Sequence, residues 1–445
     1  MSAELSQSSE SDSKTSNQSP QPISKDENPS IKVLRIIIKF YISHFKFYPG
    51  LLEMNDPNPY LAPSIDSTQA LLRLRLVCKD WAEAVLPLVF NSICLNRSRK
   101  IQSLIENWKD SVLDSDSSPV QRLYIENLVY GNKKTSEEEL KDWQMYTVPM
   151  NHASELILFL GRNLTDLTLE LYSSMGFSPD LINAIGQIKC LTSLTIRSCA
   201  ATTSPTNLES LVDLLNLTTD LESLSILIRH LEIFELKPGA LSKLKHLRFE
   251  DHPNNKRAID HLCQSTKKSL KVIESKNPEG GLVLEPLNEN LECLITIFFP
   301  DHLPHKLSKM RFPKLRIIYS TLMYRQSWGS LDWLQWPFCS NLRTLVMDFE
   351  SGKLFWDKAL VKLGHGHLVK PPNLKHFVFL SIKQDPTIEV ERLVRTLKIH
   401  GIESHFTCKL NYAEILSWRG PIYGKVTVVR KNVSQKNHEN IIYHS

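Results

Sequence analysis

One short apolar frame, repeated at a nearly constant interval, constrains the fold of this chain more than any other feature. A leucine is followed by two variable residues, a second apolar residue, one more variable residue and usually a third apolar one. The frame begins at Leu164/Leu167/Leu169 and recurs at Leu191/Leu194/Ile196, Leu221/Leu224/Ile226, Leu244/Leu247/Phe249, Leu342/Leu345/Met347 and Leu374/Phe377/Phe379. Weaker copies start at Leu270, Leu291 and Leu315, where the third position is Ser or Thr, and Val120/Leu123/Ile125 is an early candidate. Eight steps cover the 210 residues from 164 to 374, a mean near 26.

Apolar residues two apart put alternate side chains of a strand on one side, and the residues before the next frame must bring the chain back. A unit of that size cannot cover its own apolar side, whereas a stack of such units can. Asn207 to Leu215 and Arg257 to Gln264 have helical spacing, so the return arms read as helices. Thr387 to Gly401 reads as a last helix, with final strands at His405 to Leu410 and Lys425 to Val429. The expected class is α/β. The interval falls within the roughly 20 to 29 residues of leucine-rich repeats, and residues 153–429 resemble an irregular array of that kind. The resemblance implies parallel strands on a concave side and helices on a convex side, with Cys199 satisfying turn backbone groups.

Upstream, Leu71 to Phe90 reads LLRLRLVCKDWAEAVLPLVF. Leu72, Leu76, Trp81 and Val85 mark a short amphipathic helix that Pro87 should stop. Ile31 to Phe47 is a second helix with apolar residues on more than one side, which must be buried from two directions. Leu76-Val77-Cys78-Lys79-Asp80-Trp81, with the exit Leu86-Pro87-Leu88-Val89-Phe90, resembles the F-box signature. That resemblance implies an F-box-like domain over 30–95 with an inserted loop at 49–68. It implies that Leu34, Ile37, Ile38, Leu72, Leu76, Val77 and Trp81 dock the Skp adaptor of a cullin-RING (SCF-type) ubiquitin ligase, with the cullin scaffold beyond it. Residues 96–152 are expected to be a linker with a possible first repeat.

Composition narrows the remaining choices. Residues 1–29 and 430–445 carry too few large apolar side chains to offset ordering and read as disordered tails. A net charge of +5 from 53 basic and 48 acidic residues is too balanced for a nucleic-acid surface. The charges within 31–47 do not suit a membrane span of about 20 apolar residues. Eight cysteines without a C-x-x-C pair fit reduced thiols in the cytoplasm or nucleus.

No catalytic, cofactor or metal residue is expected. Gly364-His365-Gly366-His367, with His376 and His400 further on, has no Cys or carboxylate at ligand spacing and reads as a solvated loop rather than a metal or hydrolase site. Binding is the expected role. The variable positions of the frames are polar at Asp166, Thr168, Glu170, Arg197, His246 and Arg248, then turn apolar at Ile295, Ile297, Ile317, Tyr319, Val346 and Val378. These six are expected to form an exposed patch that binds an unidentified protein target. If the chain's own segments cover them, the recognition surface falls to Arg197, His246 and Arg248. The alternative is a leucine-rich-repeat interaction scaffold with no ligase role, whose N-terminal helices merely cap the stack.

Overall fold

The computed structural model describes residues 29–43, 71–74, 76–109, 118–129, 146–172, 176–198, 208–250, 252–275, 284–296, 308–320, 331–348, 353–366, 368–380, 388–407 and 412–417. The loop expected at 49–68, both tails, Cys199 and the strand expected at 425–429 lie outside them. The described residues form two compact units, the first ending at Val89 and the second beginning at Phe90.

The first unit is helical. Helix α1 (Pro29–Ser43) opens with a proline, whose missing N–H costs nothing at a helix start. It packs against α2 (Lys79–Val89). The single helix expected over 71–85 is broken. Residues 71–74 make one helical turn, and the chain then reverses through hydrogen bonds from Leu76 N to Arg73 O (3.0 Å) and from Val77 N to Leu74 O (3.1 Å). Pro87 does not stop α2, which runs two residues beyond it. Val85 and Val89, four apart and both buried, hold that last turn in place.

The second unit is α/β and, among the described residues, is built on an open sheet of 13 strands whose pairings are parallel. The strands are β1 (Ser92–Leu95), β2 (Arg122–Val129), β3 (Val148–Pro149), β4 (Asp166–Leu171), β5 (Ser193–Ser198), β6 (Ser223–Leu227) and β7 (His246–Phe249). They continue as β8 (Val272–Ser275), β9 (Cys293–Thr296), β10 (Ile317–Ser320), β11 (Thr344–Asp348), β12 (His376–Leu380) and β13 (Glu403–Thr407). Each pairs with its successor, except that β3 pairs only with β2, and β2 pairs onward with β4. Among the described residues the sheet begins at β1, so 90–95 belongs to the second unit, and within 96–152 the possible first repeat at Val120 leads into β2, with β3 further on.

Every frame, including the early one at Val120, starts its strand two residues after its first apolar residue. That residue is buried, and the carbonyl one position later accepts two consecutive N–H groups from the next unit. Thr165 O accepts from Thr192 N and Ser193 N, both at 2.9 Å, and Lys271 O from Glu292 N (2.8 Å) and Cys293 N (3.0 Å). The backbone ladder explains why Ser275, Thr296 and Ser320 are tolerated at third frame positions: register is set by the main chain and the first two apolar residues. The inward side chains, from Leu123 to Phe379, join the return arms in one continuous core.

The return arms are mixed, not uniformly helical. α3 (Ser98–Lys109) precedes the frame at Val120 and α4 (Met150–Leu160) that at Leu164, while α5 (Pro179–Gly186), α6 (Leu208–Leu217), α7 (Lys256–Thr266), α8 (Lys353–His365) and α9 (Ile388–Ile399) follow the frames at Leu164, Leu191, Leu244, Leu342 and Leu374. The fully described 23-residue step from Leu221 to Leu244 has no α-helix and returns through turns, with Gly239 at φ 87°.

Candidate interaction surfaces

In α1, Ile31 and Ile38 are seven apart and buried, with Leu34 half-buried between them. This stripe faces the unit's own interior. Val33, Ile36 and Ile37 lie off that stripe and are exposed, Ile36 by 67%. Leu76 and Val77 in the reversing turn are exposed by 78% and 64%. Of the seven residues expected to dock an adaptor, Ile37, Leu76 and Val77 are therefore open to solvent, while Leu34, Leu72 and Trp81 are half-buried. Ile38 is a correction: at 1% exposure it is core, because its place in the i, i+7 stripe turns it inward. Five large apolar side chains remain open on one small helical unit, a feature that marks interaction sites.

The sheet face opposite the helices carries the variable frame positions, and it divides into three zones. On β2, β4 and β5 it is polar and partly open. Arg122 Nε lies 3.9 Å from Asp166 Oδ2, Tyr124 donates a 2.6 Å hydrogen bond to Glu170 Oε2, and Arg197 is half-exposed. Burial, and then the neighbouring charge of Glu170, push the Glu126 carboxyl above its ordinary range. On β6 to β8 the polar groups are buried. Arg248 Nε lies 3.0 Å from Glu274 Oε1, His246 Nε2 lies 3.4 Å from Glu274 Oε2, and His246 Nδ1 is 2.8 Å from Ser223 Oγ. Buried charges persist only when paired in this way.

The third zone overturns the expected target patch. Ile295, Ile317, Tyr319, Val346 and Val378 are all 3% exposed or less and form one apolar cluster with Val272, Cys293 and Leu380. The short helix α10 (Tyr412–Ser417) lies on that cluster through buried Ile415 and partly buried Leu416. Arg316 ties it down. Its Nη2 donates to Glu292 Oε2 and to the carbonyl of Leu416, each at 2.8 Å. The apolar switch seen in the sequence thus marks parallel strands buried on both sides. Ile297 lies outside the described residues. Of the fallback residues, His246 and Arg248 are buried as well, which leaves Arg197 on the open zone.

The histidine cluster also resolves differently from its spacing. His367 and the side chain of His365 lie outside the described residues, and His400 Nδ1 accepts from Leu368 N at 3.4 Å. His376 instead meets His405 and Glu403 on the neighbouring strand, a grouping with the donor set of a metal site. Its signal was the register of a frame histidine against Glu-x-His in the last strand, which spacing along the chain cannot show. Among the described residues no helix is long and apolar enough to cross a membrane. A scan against protein-family models and a search of curated proteins both return no match.

Proposed function

We propose that this chain is an F-box-like, leucine-rich-repeat protein serving as the substrate-recognition subunit of a cullin-RING (SCF-type) ubiquitin ligase in the cytoplasm or nucleus. The N-terminal helices dock the Skp adaptor, which links to the cullin scaffold, and the repeats hold a protein target. Ubiquitin transfer belongs to other subunits, so the chain is not itself an enzyme.

The observation that carries this reading is the set Val33, Ile36, Ile37, Leu76 and Val77, all apolar and exposed on the helical unit. A region this small gains little by exposing such groups unless a partner covers them. The open polar zone around Asp166, Glu170 and Arg197 supports target binding at the early strands. Both residues Ile36 and Ile37 are replaced by Asp in the full-length chain, and the Skp adaptor is co-purified with it. Loss of adaptor capture, with an unchanged thermal unfolding transition, is expected. Undiminished capture by the double variant, or no capture by the unaltered chain, removes the ligase reading and leaves an interaction scaffold.

A further inference from the structure

The last two strands among the described residues, β12 and β13, bring three potential metal ligands to one point. His376 on β12 pairs in register with Glu403 on β13, and Val378 pairs with His405. His376, Glu403 and His405 therefore share the face opposite the helices, the side on which Val378 and Leu380 join the buried apolar cluster. His376 Nδ1 lies 3.2 Å from His405 Nε2 and 3.4 Å from Glu403 Oε2, and His405 Nε2 lies 3.8 Å from Glu403 Oε2.

Those separations carry an argument of their own. Donor atoms held about 2.0–2.1 Å from a tetrahedral zinc ion stand about 3.4 Å apart along each edge. The three edges bracket that length, so an ion fits between the donors with shifts of only a few tenths of an ångström. Two imidazole nitrogens with one carboxylate oxygen suit zinc, cobalt or nickel, while calcium and magnesium call for oxygen ligands. The His side chains are 10% and 14% exposed and that of Glu403 is 68% exposed, so the site is walled by protein on one side and open to water on the other.

We propose that His376, Glu403 and His405 form a zinc-class divalent metal site, with water as the fourth ligand, that fastens the final strand to the sheet. Burial lowers the pKa of both imidazoles, which favours the neutral form that ligates. The bond would act where the sheet ends: β13 has a single neighbour in the strand order, and nothing on its other edge contributes main-chain pairing among the described residues.

The test uses the full chain, free of any affinity tag and stripped of metal by a chelator, titrated calorimetrically with zinc chloride. One equivalent bound per chain, with a rise in melting temperature, is expected. Tetrahedral cobalt should give an intense visible absorption at the same stoichiometry. His405→Ala should abolish stoichiometric binding. Glu403→Gln, at an exposed position that leaves folding intact, should weaken it by more than about 10-fold. No stoichiometric binding by the unaltered chain would show that the pair is only a His–His hydrogen bond. Binding undiminished in both variants would place the metal elsewhere, and either result overturns the proposal.

Discussion

Arg316 Nη2 donates a 2.8 Å hydrogen bond to the main-chain oxygen of Leu416, a residue 100 positions further along the chain. The same guanidinium holds Glu292, whose other oxygen meets Lys271 Nζ at 2.9 Å. A row of charged residues, each directly after the first apolar residue of its frame, thus does two things. It links neighbouring units and anchors the helix that covers the apolar strands.

Tyr319 is therefore a stability residue. At 3% exposure beneath the cluster that Ile415 completes, Tyr319→Ala should cost about 3 kcal/mol or more, and Ile415→Ala about 2 to 5 kcal/mol. Both variants should also raise the fluorescence of a hydrophobic dye. Urea unfolding midpoints equal to that of the unaltered chain would show that α10 does not cover these strands.

Acid should loosen the same region. Burial works against the charge of Glu292, but hydrogen bonds from Lys271 and Arg316, and then their charges, outweigh it, so its carboxyl titrates below the ordinary 4.5. A folded-state value below the unfolded one means the ionised form contributes stability that is complete above about pH 4.5 and lost as pH falls through the folded value. Glu292→Gln should remove that part of the pH dependence, so the stability gap between variant and unaltered chain narrows between about pH 6 and about pH 3. A gap that stays constant over the window would exclude Glu292 as its source.

Within α1, burial separates neighbours that are alike in sequence. Ile38→Ala should cost about 2 to 5 kcal/mol of the helical unit's stability, whereas Ile36→Ala should stay within about 0.5 kcal/mol because its side chain is already in water. Hydrogen exchange of α1 amides would register the difference, and equal protection in the two variants would contradict the assigned stripe.

The strands were readable from sequence because each frame combines a buried first apolar residue with a strict two-residue alternation; even Leu270, Leu291 and Leu315, which lack a third apolar residue, begin strands where the frame places them. The outer zones were not. Ile317 and Tyr319 have the same residue types whether a partner or the chain's own helix covers them, and Ile415 lies about 100 residues away. The break at Leu76 and Val77 was hidden because apolar residues at helical spacing continue through it, while the turn rests on main-chain hydrogen bonds. The His376, Glu403 and His405 grouping depends on strand register, which the intervals between frames do not fix.

The frame itself yields a paired stability test. Leu224 is the second apolar residue of its frame, wholly buried within β6, between Leu194 of β5 and Leu247 of β7. Leu217 closes α6 in the preceding return arm and is 49% exposed. Truncating Leu224 opens a cavity that parallel strands on both sides cannot collapse to fill, so Leu224→Ala should cost about 2 to 5 kcal/mol. Leu217→Ala removes methyl groups already half in water, and its cost should stay below about 1 kcal/mol. Because β6 pairs only with β5 and β7, the Leu224 variant should also broaden the urea transition as the strands on either side of β6 separate. Equal costs for the two substitutions would mean that Leu224 does not face the shared core, and the assignment of the frame's second position to the inward side would fall with it.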